Sequence, residues 1–328
     1  MQNTNISKTI KILEKGGIII YPTETCYGIG ADATNQKAIN KIYEMKKREK
    51  KPLIILVSSK KMAEKYIQLN KPAKLLIKLM PGPLTLIARN KNNITKPLKK
   101  NVGNGLVIYQ DTIAFRISSH GFVKKLFKYW KKPLVSTSAN LSGNPEPYNI
   151  KDIDKEIIKN ADIVINKMSE FDKDSAINRK PKRTKPSTIF NTLTLEIVRK
   201  GPVSETLIKN TLKNKIKKIL CGGCFNHIHK GHIYFLKKSK SLGDHLTVVI
   251  SNNTRNEKKY GTEAIDATER KKAIEKLGIA DKVIIGHNGN ILKTLKKEQP
   301  NIISLGYDQP ELPKHIKKKY KILRINKL

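Results

Sequence analysis

Short apolar runs alternate with amphipathic stretches from the start of the chain. Residues 6–14 carry apolar side chains at helical spacing, and Gly16-Gly17 ends that helix. Residues 17–21, Gly-Ile-Ile-Ile-Tyr, read as a buried strand. Residues 36–47 read as a helix with Ile39, Ile42 and Tyr43 on one face, and residues 53–57 as a further strand. The alternation continues through Pro133-Leu134-Val135-Ser136, which predicts a mixed α/β domain. Residues 170–186 are polar, charged and broken by prolines, as expected of a mobile loop. Strand character returns over 187–199, Gly201-Pro202 breaks it, and 205–218 reads as a Lys-rich helix or linker. A new series opens with the strand 218–220 and alternates strand, helix and strand to about residue 305, as in a parallel doubly wound sheet. The predicted organisation is a mixed twisted α/β domain over 1–203, a linker over 204–215 and a Rossmann-like domain over 216–328, without an internal repeat.

Length agrees with two domains: 328 residues at roughly 100–200 per domain. Charge adds less than its size suggests. The net charge is +39, which points toward polyanions. However, residues 204–328 carry 27 basic and 11 acidic side chains, and the remainder 39 and 16. Both halves are basic, so the excess reads as a Lys-rich background rather than one binding face. Direct tRNA binding is therefore an expectation to be tested by its salt dependence. The three cysteines, Cys26, Cys221 and Cys224, do not make a disulfide framework. The first residues lack the apolar core of a signal peptide, and no apolar run approaches the roughly 20 residues of a membrane span. The expected location is cytoplasmic, with no membrane partner.

The first half holds turns suited to anions. Tyr21-Pro22-Thr23-Glu24-Thr25-Cys26-Tyr27-Gly28 follows the first strand. Lys46-Lys47-Arg48 closes the next helix, and Pro81-Gly82-Pro83-Leu84-Thr85 makes a stiff turn. Arg116 lies in a strand, and Ser136-Thr137-Ser138-Ala139-Asn140-Leu141-Ser142-Gly143 follows another. Pro186-Ser187-Thr188-Ile189 and Val198-Arg199-Lys200-Gly201 complete the set. Each has an ordinary local explanation: cations suit a helix C-terminus, hydroxyls cap helices, and a strand arginine forms salt bridges. Cys26 reads as a small buried side chain rather than a nucleophile, since no histidine pairs with it nearby.

Together, in this order and spelling, these motifs resemble the threonylcarbamoyl-AMP synthase family over residues 6–203. The resemblance implies that threonine and bicarbonate form a carbamate, whose carboxylate attacks the α-phosphate of ATP and expels pyrophosphate. It further implies that Lys46 and Arg48 contact ATP phosphates and bicarbonate, and that Arg116 binds the threonine carboxylate. Thr23, Ser136 and Ser187 would help recognise threonine, while Ser138, Asn140 and Arg199 would hold the nucleotide. Mg would accompany the triphosphate, and no residue is assigned to a resident metal. The product would feed tRNA threonylcarbamoyl-adenosine modification, alone or within a tRNA-modification complex. The loop after Arg48 looks one residue short of the family pattern, which leaves Lys47 as a substitute for one of the two cations. The further C-terminal domain of long-form relatives is expected to be absent, with a different domain in its place.

That domain opens with Gly222-Gly223-Cys224-Phe225-Asn226-His227-Ile228-His229-Lys230-Gly231-His232 between a strand and an apolar-periodic helix. Glycines admit phosphate close to the backbone, and a helix N-terminus favours anions. The segment resembles cytidylyltransferase-like nucleotidyltransferases. The resemblance implies that His229 and His232 stabilise charge on the α-phosphate, with Gly223, Phe225 and Asp308 at the nucleotide. Asn226 stands where Asp is common. Ile303-Ser304-Leu305-Gly306-Tyr307-Asp308-Gln309 resembles the nucleotide segment of archaeal FAD synthases, which implies an adenylyl- or cytidylyltransferase acting on a phosphorylated small molecule. An Arg-Thr-x-Gly-Ile-Ser-Thr segment is missing, which favours ATP over CTP. Two rival readings stay open. Cys221 and Cys224 with His227, His229 and His232 also suit a zinc cluster. The chain also suits a nucleotide- or double-stranded-RNA-binding protein without turnover. Carbamoyl transfer within a larger maturation enzyme is disfavoured by the lack of cysteine-rich zinc motifs. His245, His287 and His315 read as ordinary surface or packing residues.

Overall fold

The computed structural model describes residues 4–47, 52–91, 108–109, 112–165, 185–287 and 291–328. It divides into two compact units, Met1–Thr211 and Leu212–Leu328.

In the first unit the described residues form an eleven-stranded mixed sheet. At one side Ile19–Pro22 pairs antiparallel with Tyr27–Gly30 and parallel with Ile163–Val164. Tyr27–Gly30 leads through Leu134–Ser138 to Ile54–Leu56, both pairings antiparallel. Ile54–Leu56 lies parallel to Thr112–Arg116. Beyond it come Leu84–Asn90, Thr188–Asn191 and Glu196–Arg199. Register decides the site: Ile54 sits opposite both Ser136 and Ala114, and Leu56 opposite both Leu134 and Arg116.

The helices are placed by apolar stripes and side-chain caps. Thr4–Glu14 turns Ile6, Ile10 and Leu13 to one face, against Phe122, Val123, Leu126 and Phe127 of the helix Gly121–Tyr129. Tyr21, Leu56, Trp130 and Leu134 complete that core. Each large apolar side chain enclosed there contributes roughly 1.5–3 kcal/mol. Gly16 ends the first helix at φ +74°, a left-handed conformation that favours glycine. Asn35 caps the helix Gln36–Met45 by accepting from the Ala38 amide.

Several boundaries differ from the pattern reading. The helix expected over 36–47 stops at Met45, and Lys46 becomes its C-cap. The strand character over 187–199 resolves into a hairpin, Thr188–Asn191 with Glu196–Arg199, with a register shift at Ile189/Phe190. Leu195 turns the chain at φ +58°. Both hairpin arms are apolar enough to read as one run, which hid the turn. The expected linker holds a helix, Glu205–Leu212. Of the expected loop over 170–186, all but the last two residues lie outside the described residues.

The second unit is a five-stranded parallel sheet. Numbering its strands by sequence, from Lys218–Gly223 through His245–Ile250, Lys282–Ile285 and Ile302–Leu305 to Lys321–Arg324, the spatial order is 3-2-1-4-5. This is a doubly wound order. The strand order reverses between its first and fourth strands, and such sheets bind ligands in a crevice outside the carboxyl ends at this switch point. Separate cores cover the two faces: Ile219, Cys221, Phe235, Val248 and Ile274 on one, Leu220, Leu295, Ile303 and Ile316 on the other. Among the described residues of the chain, no helix is long and apolar enough to cross a membrane.

Candidate active sites

The turn after the first strand is built around the Thr23 hydroxyl. It donates to the Cys26 carbonyl (2.7 Å) and accepts from the Thr25 and Cys26 amides (both 3.2 Å). Thr23 thus shapes the turn and aims Glu24 and Thr25 at Arg116. The Arg116 Nη1 donates to the Thr25 hydroxyl (3.2 Å) and lies 3.5 Å from Glu24 Oε1. The Ser118 hydroxyl donates to Glu24 Oε2 at 2.5 Å. The Arg116 and Glu24 side chains are 6% and 10% exposed, so this ion pair is shut from solvent. Arg116 Nε and Glu24 Oε1 are enclosed without a hydrogen-bond partner.

Lys46 is buried, and its ammonium donates to the carbonyls of Ser138 (2.5 Å) and Asn140 (2.5 Å) and to Asn140 Oδ1 (3.1 Å). The Ser138 hydroxyl donates to the same Oδ1 at 2.6 Å, and Asn140 Nδ2 donates to the Asn144 and Pro145 carbonyls. Lys46 is therefore a pin through the Ser138-Ala139-Asn140 turn as well as a buried charge. Lys47 points elsewhere: it is exposed and pairs with Glu156 at 3.0 Å. Arg48 lies outside the described residues.

A third group comes from the hairpin. Ser187 and Thr85 hydroxyls meet at 2.8 Å, and Arg199 donates to the Ser187 hydroxyl and carbonyl, both at 3.0 Å. Gly201 allows this packing. A Cβ there would lie 2.3 Å from the Pro186 carbonyl oxygen and 2.4 Å from the Thr188 amide nitrogen. Electrostatics connect the groups. Burial holds the Arg199 guanidinium below its ordinary value, nearby Glu146 opposes this, and Arg116 adds to it by repulsion. Burial pushes the Cys26 thiol up to about 11, against the pull of Arg116. Burial also raises Tyr21, whose hydroxyl faces Ser136, Arg116 and Glu24. Lys46, Arg116 and Arg199 thus share one field with the Thr23 turn, Ser136, Ser138, Asn140 and Ser187. Sequence reasoning placed Glu24, Thr25 and Thr85 in its candidate turns without assigning them a role, and it passed over Ser118. The signal that Glu24 left is a carboxylate in an otherwise uncharged turn.

The second site lies at the sheet crevice. Phe225 adopts φ +52°, and its ring meets that of His232 at 5.0 Å, edge to face. Gly223 is required here, since a Cβ would lie 2.9 Å from the Phe225 ring. His229 caps the helix Lys230–Ser241, its Nδ1 accepting from the Gly231 amide at 3.2 Å. His232 Nδ1 faces the His227 carbonyl at 3.0 Å, and the two imidazoles stack at 3.9 Å. The partners dictate tautomers: neutral His229 carries its proton on Nε2, and neutral His232 on Nδ1. Burial, and then the nearness of His229, hold His232 below its ordinary value, partly offset by the His227 carbonyl and Asp308. Asp308 is exposed in the loop after the fourth strand. Gln309 ties that loop to the glycine turn, donating to the Gly222 carbonyl (2.6 Å) and accepting from the Gly306 amide (3.0 Å).

Two further residues brace the second site. Asn226 accepts from the Asn256 side chain and the Ile265 amide, and donates to the Glu263 carbonyl at 2.9 Å. Arg270, 1% exposed, donates to the carbonyls of Ile265 and Cys224, both at 2.7 Å, and to Ser251 Oγ at 3.0 Å. The zinc grouping is not assembled. Cys221 is enclosed in the core, where burial pushes its thiol up to about 12, whereas His227 is exposed. Among the described residues no three His, Cys, Asp or Glu side chains are grouped to hold a metal ion. His245 is a buried packing residue, and His287 and His315 are exposed.

Fold and site define a mixed α/β domain with buried cations among hydroxyls, followed by a doubly wound domain with a His-x-Gly-His turn at its switch point. Models of two families match in the same order: Sua5/YciO/YrdC, described as telomere recombination, over residues 11–201, and cytidylyltransferase-like over 220–326. The chain belongs to the Sua5/YciO/YrdC family and carries a cytidylyltransferase-like domain after it. A relative from Methanocaldococcus jannaschii, provisionally named threonylcarbamoyl-AMP synthase, is 39% identical over 189 residues, 56% of this chain and 80% of its own. A threonylcarbamoyl-AMP synthase from Vibrio parahaemolyticus is 32% identical over 60% of this chain and 99% of its own. The structure of P. abyssi Sua5 complexed with L-threonine covers 98% of this chain and 96% of its own at 20% identity, with a TM-score of 0.54, and so shares the fold.

Proposed function

We propose that the first unit makes threonylcarbamoyl-AMP and pyrophosphate from threonine, bicarbonate and ATP, for tRNA modification. The observation that carries this reading is the convergence of Lys46, Arg116 and Arg199 on one hydroxyl-lined site in a member of this family. The reaction joins several anions, so its main demands are positioning and charge neutralisation. Arg116 binds the threonine carboxylate, with Ser136 and Ser187 nearby and Thr23 acting through the turn it shapes. Arg199, Ser138 and Asn140 hold the nucleotide. Lys46, with Arg48, neutralises charge as the carbamate carboxylate attacks the α-phosphate and pyrophosphate leaves. No protein nucleophile is required, and a Cys26 thiol at about 11 is protonated at neutral pH. Mg arrives with the triphosphate as part of the substrate, and no step is assigned to a protein-held metal. The test is pyrophosphate release from ATP that requires both threonine and bicarbonate. Tight RNA binding without any release would favour a binding protein instead.

For the second unit we propose nucleotidyl transfer from ATP to a phosphorylated small molecule such as flavin mononucleotide. Its support is the paired imidazoles at a helix N-terminus beside the glycine turn. His229 offers an Nε2 proton to a phosphate oxygen, and His232 gains a proton as negative charge approaches. The test is acceptor-dependent pyrophosphate release that His229→Ala and His232→Ala abolish while threonine-dependent release persists. Release unaffected by either variant would reject the roles of the two histidines.

A further inference from the structure

We propose that Glu24 is the receptor for the threonine ammonium and takes its proton before the carbamate forms. The inference rests on the threonine-dependent reading of the first unit and adds a role to that same site.

The Arg116–Glu24 pair is enclosed, with Nη1 and Oε1 3.5 Å apart, too long for a hydrogen bond. Glu24 Oε1 and Arg116 Nε are both shut from water and without a hydrogen-bond partner. Buried polar groups left this way are rare and point to a missing partner. Two other atoms of the pair have partners: Nη1 donates to Thr25, and Oε2 accepts from Ser118 at 2.5 Å. The pair therefore keeps an unused enclosed donor, Nε, on its cation and an unused enclosed acceptor, Oε1, on its anion.

An α-amino acid presents the complementary pair. Its ammonium nitrogen and carboxylate carbon are two bonds, about 2.5 Å, apart. A carboxylate held by the Arg116 guanidinium, whose Nη1 lies 3.5 Å from Glu24 Oε1, thus brings the ammonium within reach of that oxygen. A carboxylic acid without the amine satisfies only half of the site.

The chemistry needs such a group, because an ammonium has no lone pair. Glu24 accepts one proton and leaves a neutral amine. The amine nitrogen then attacks the bicarbonate carbon, the bond to the bicarbonate hydroxyl breaks, and that hydroxyl leaves as water with a second amine proton. The products are the carbamate, water and protonated Glu24, which gives up its proton once product departure opens the site.

Binding to the full-length chain tests this without turnover. Calorimetry compares L-threonine with 3-hydroxybutyrate, which keeps the carboxylate and hydroxyl but lacks the amine. The wild type is expected to prefer threonine at least tenfold. Glu24→Gln should abolish that preference while 3-hydroxybutyrate binds within about threefold of wild type, and Glu24→Asp should restore part of it. Turnover of Glu24→Gln should recover as pH rises toward the amine's own range. A wild-type preference near one overturns the proposal even if no variant folds. So does a Glu24→Gln preference equal to wild type, or equal loss of both ligands, which is what a mere brace for Arg116 would give. Failure of the wild type to bind threonine would instead sink the reading of the whole unit.

Discussion

Replacing Lys46 with methionine separates its two roles. The side chain keeps its approximate length and apolar stem but loses the ammonium that donates to Ser138 O, Asn140 O and Asn140 Oδ1. Asn140 Oδ1 retains the Ser138 hydroxyl, so its loss is small. The two carbonyls lose a charged donor, and each stripped buried acceptor costs about 1–3 kcal/mol. Relief from burying an ammonium offsets part of this. The expected net loss is about 3 kcal/mol. At roughly 2–4 °C per kcal/mol for a unit of this size, Tm falls by roughly 6–12 °C. Trp130 is the only tryptophan in the chain and is buried in the core of the first unit, so its fluorescence reports that unit selectively. Loss of threonine-dependent turnover should accompany the fall. An unchanged Trp130 melt with turnover abolished would refute the pin and leave Lys46 as a substrate contact alone.

Gly201→Ala places a methyl against two backbone atoms and should lower the Trp130 melt by an amount equivalent to about 1–3 kcal/mol; full stability would refute the packing. In the second unit, Asn226→Asp replaces an amide donor to the Glu263 carbonyl with a carboxylate oxygen. Urea unfolding followed by circular dichroism should show a loss of about 1–3 kcal/mol, and no loss would contradict that hydrogen bond. His232 is held below its ordinary value of about 6.5, so the unfolded chain binds its proton first. Its contribution is therefore complete above that value and is lost as pH falls toward the lower folded-state value. His232→Gln should flatten the decline in urea midpoint below pH 6.5, and an unchanged slope would reject this linkage.

The two series of alternating elements were legible because each half repeats strand, turn and helix with little interruption. The glycine turn of residues 222–232 was legible because its chemistry is consecutive in sequence. The first site was legible only as an ordered set of turns, since its members come from distant strands and meet through sheet register. Strand pairing brings Arg116 level with Leu56, and nothing in the local sequence announces that it meets Glu24. Thr23 shows the limit of motif reading. Its position belongs to the site, yet its hydroxyl is consumed by the turn that carries Glu24. Arg270 is a second case: one arginine in a charged helix, it turns inward to bind two carbonyls and a hydroxyl. The hairpin at 188–199 was hidden because no Gly, Pro or Asn-Gly pair marks its turn, and Leu195 takes the left-handed conformation instead.

The most direct measurement of the central claim is pyrophosphate release from ATP by the full-length chain, with threonine and bicarbonate each present or omitted. The account predicts release only when both are present, with a mixed-anhydride adduct of AMP as the second product, and a sharply raised threonine requirement in Arg116→Ala. Release independent of threonine, or none from the folded wild-type protein under conditions that support threonine binding, would contradict it.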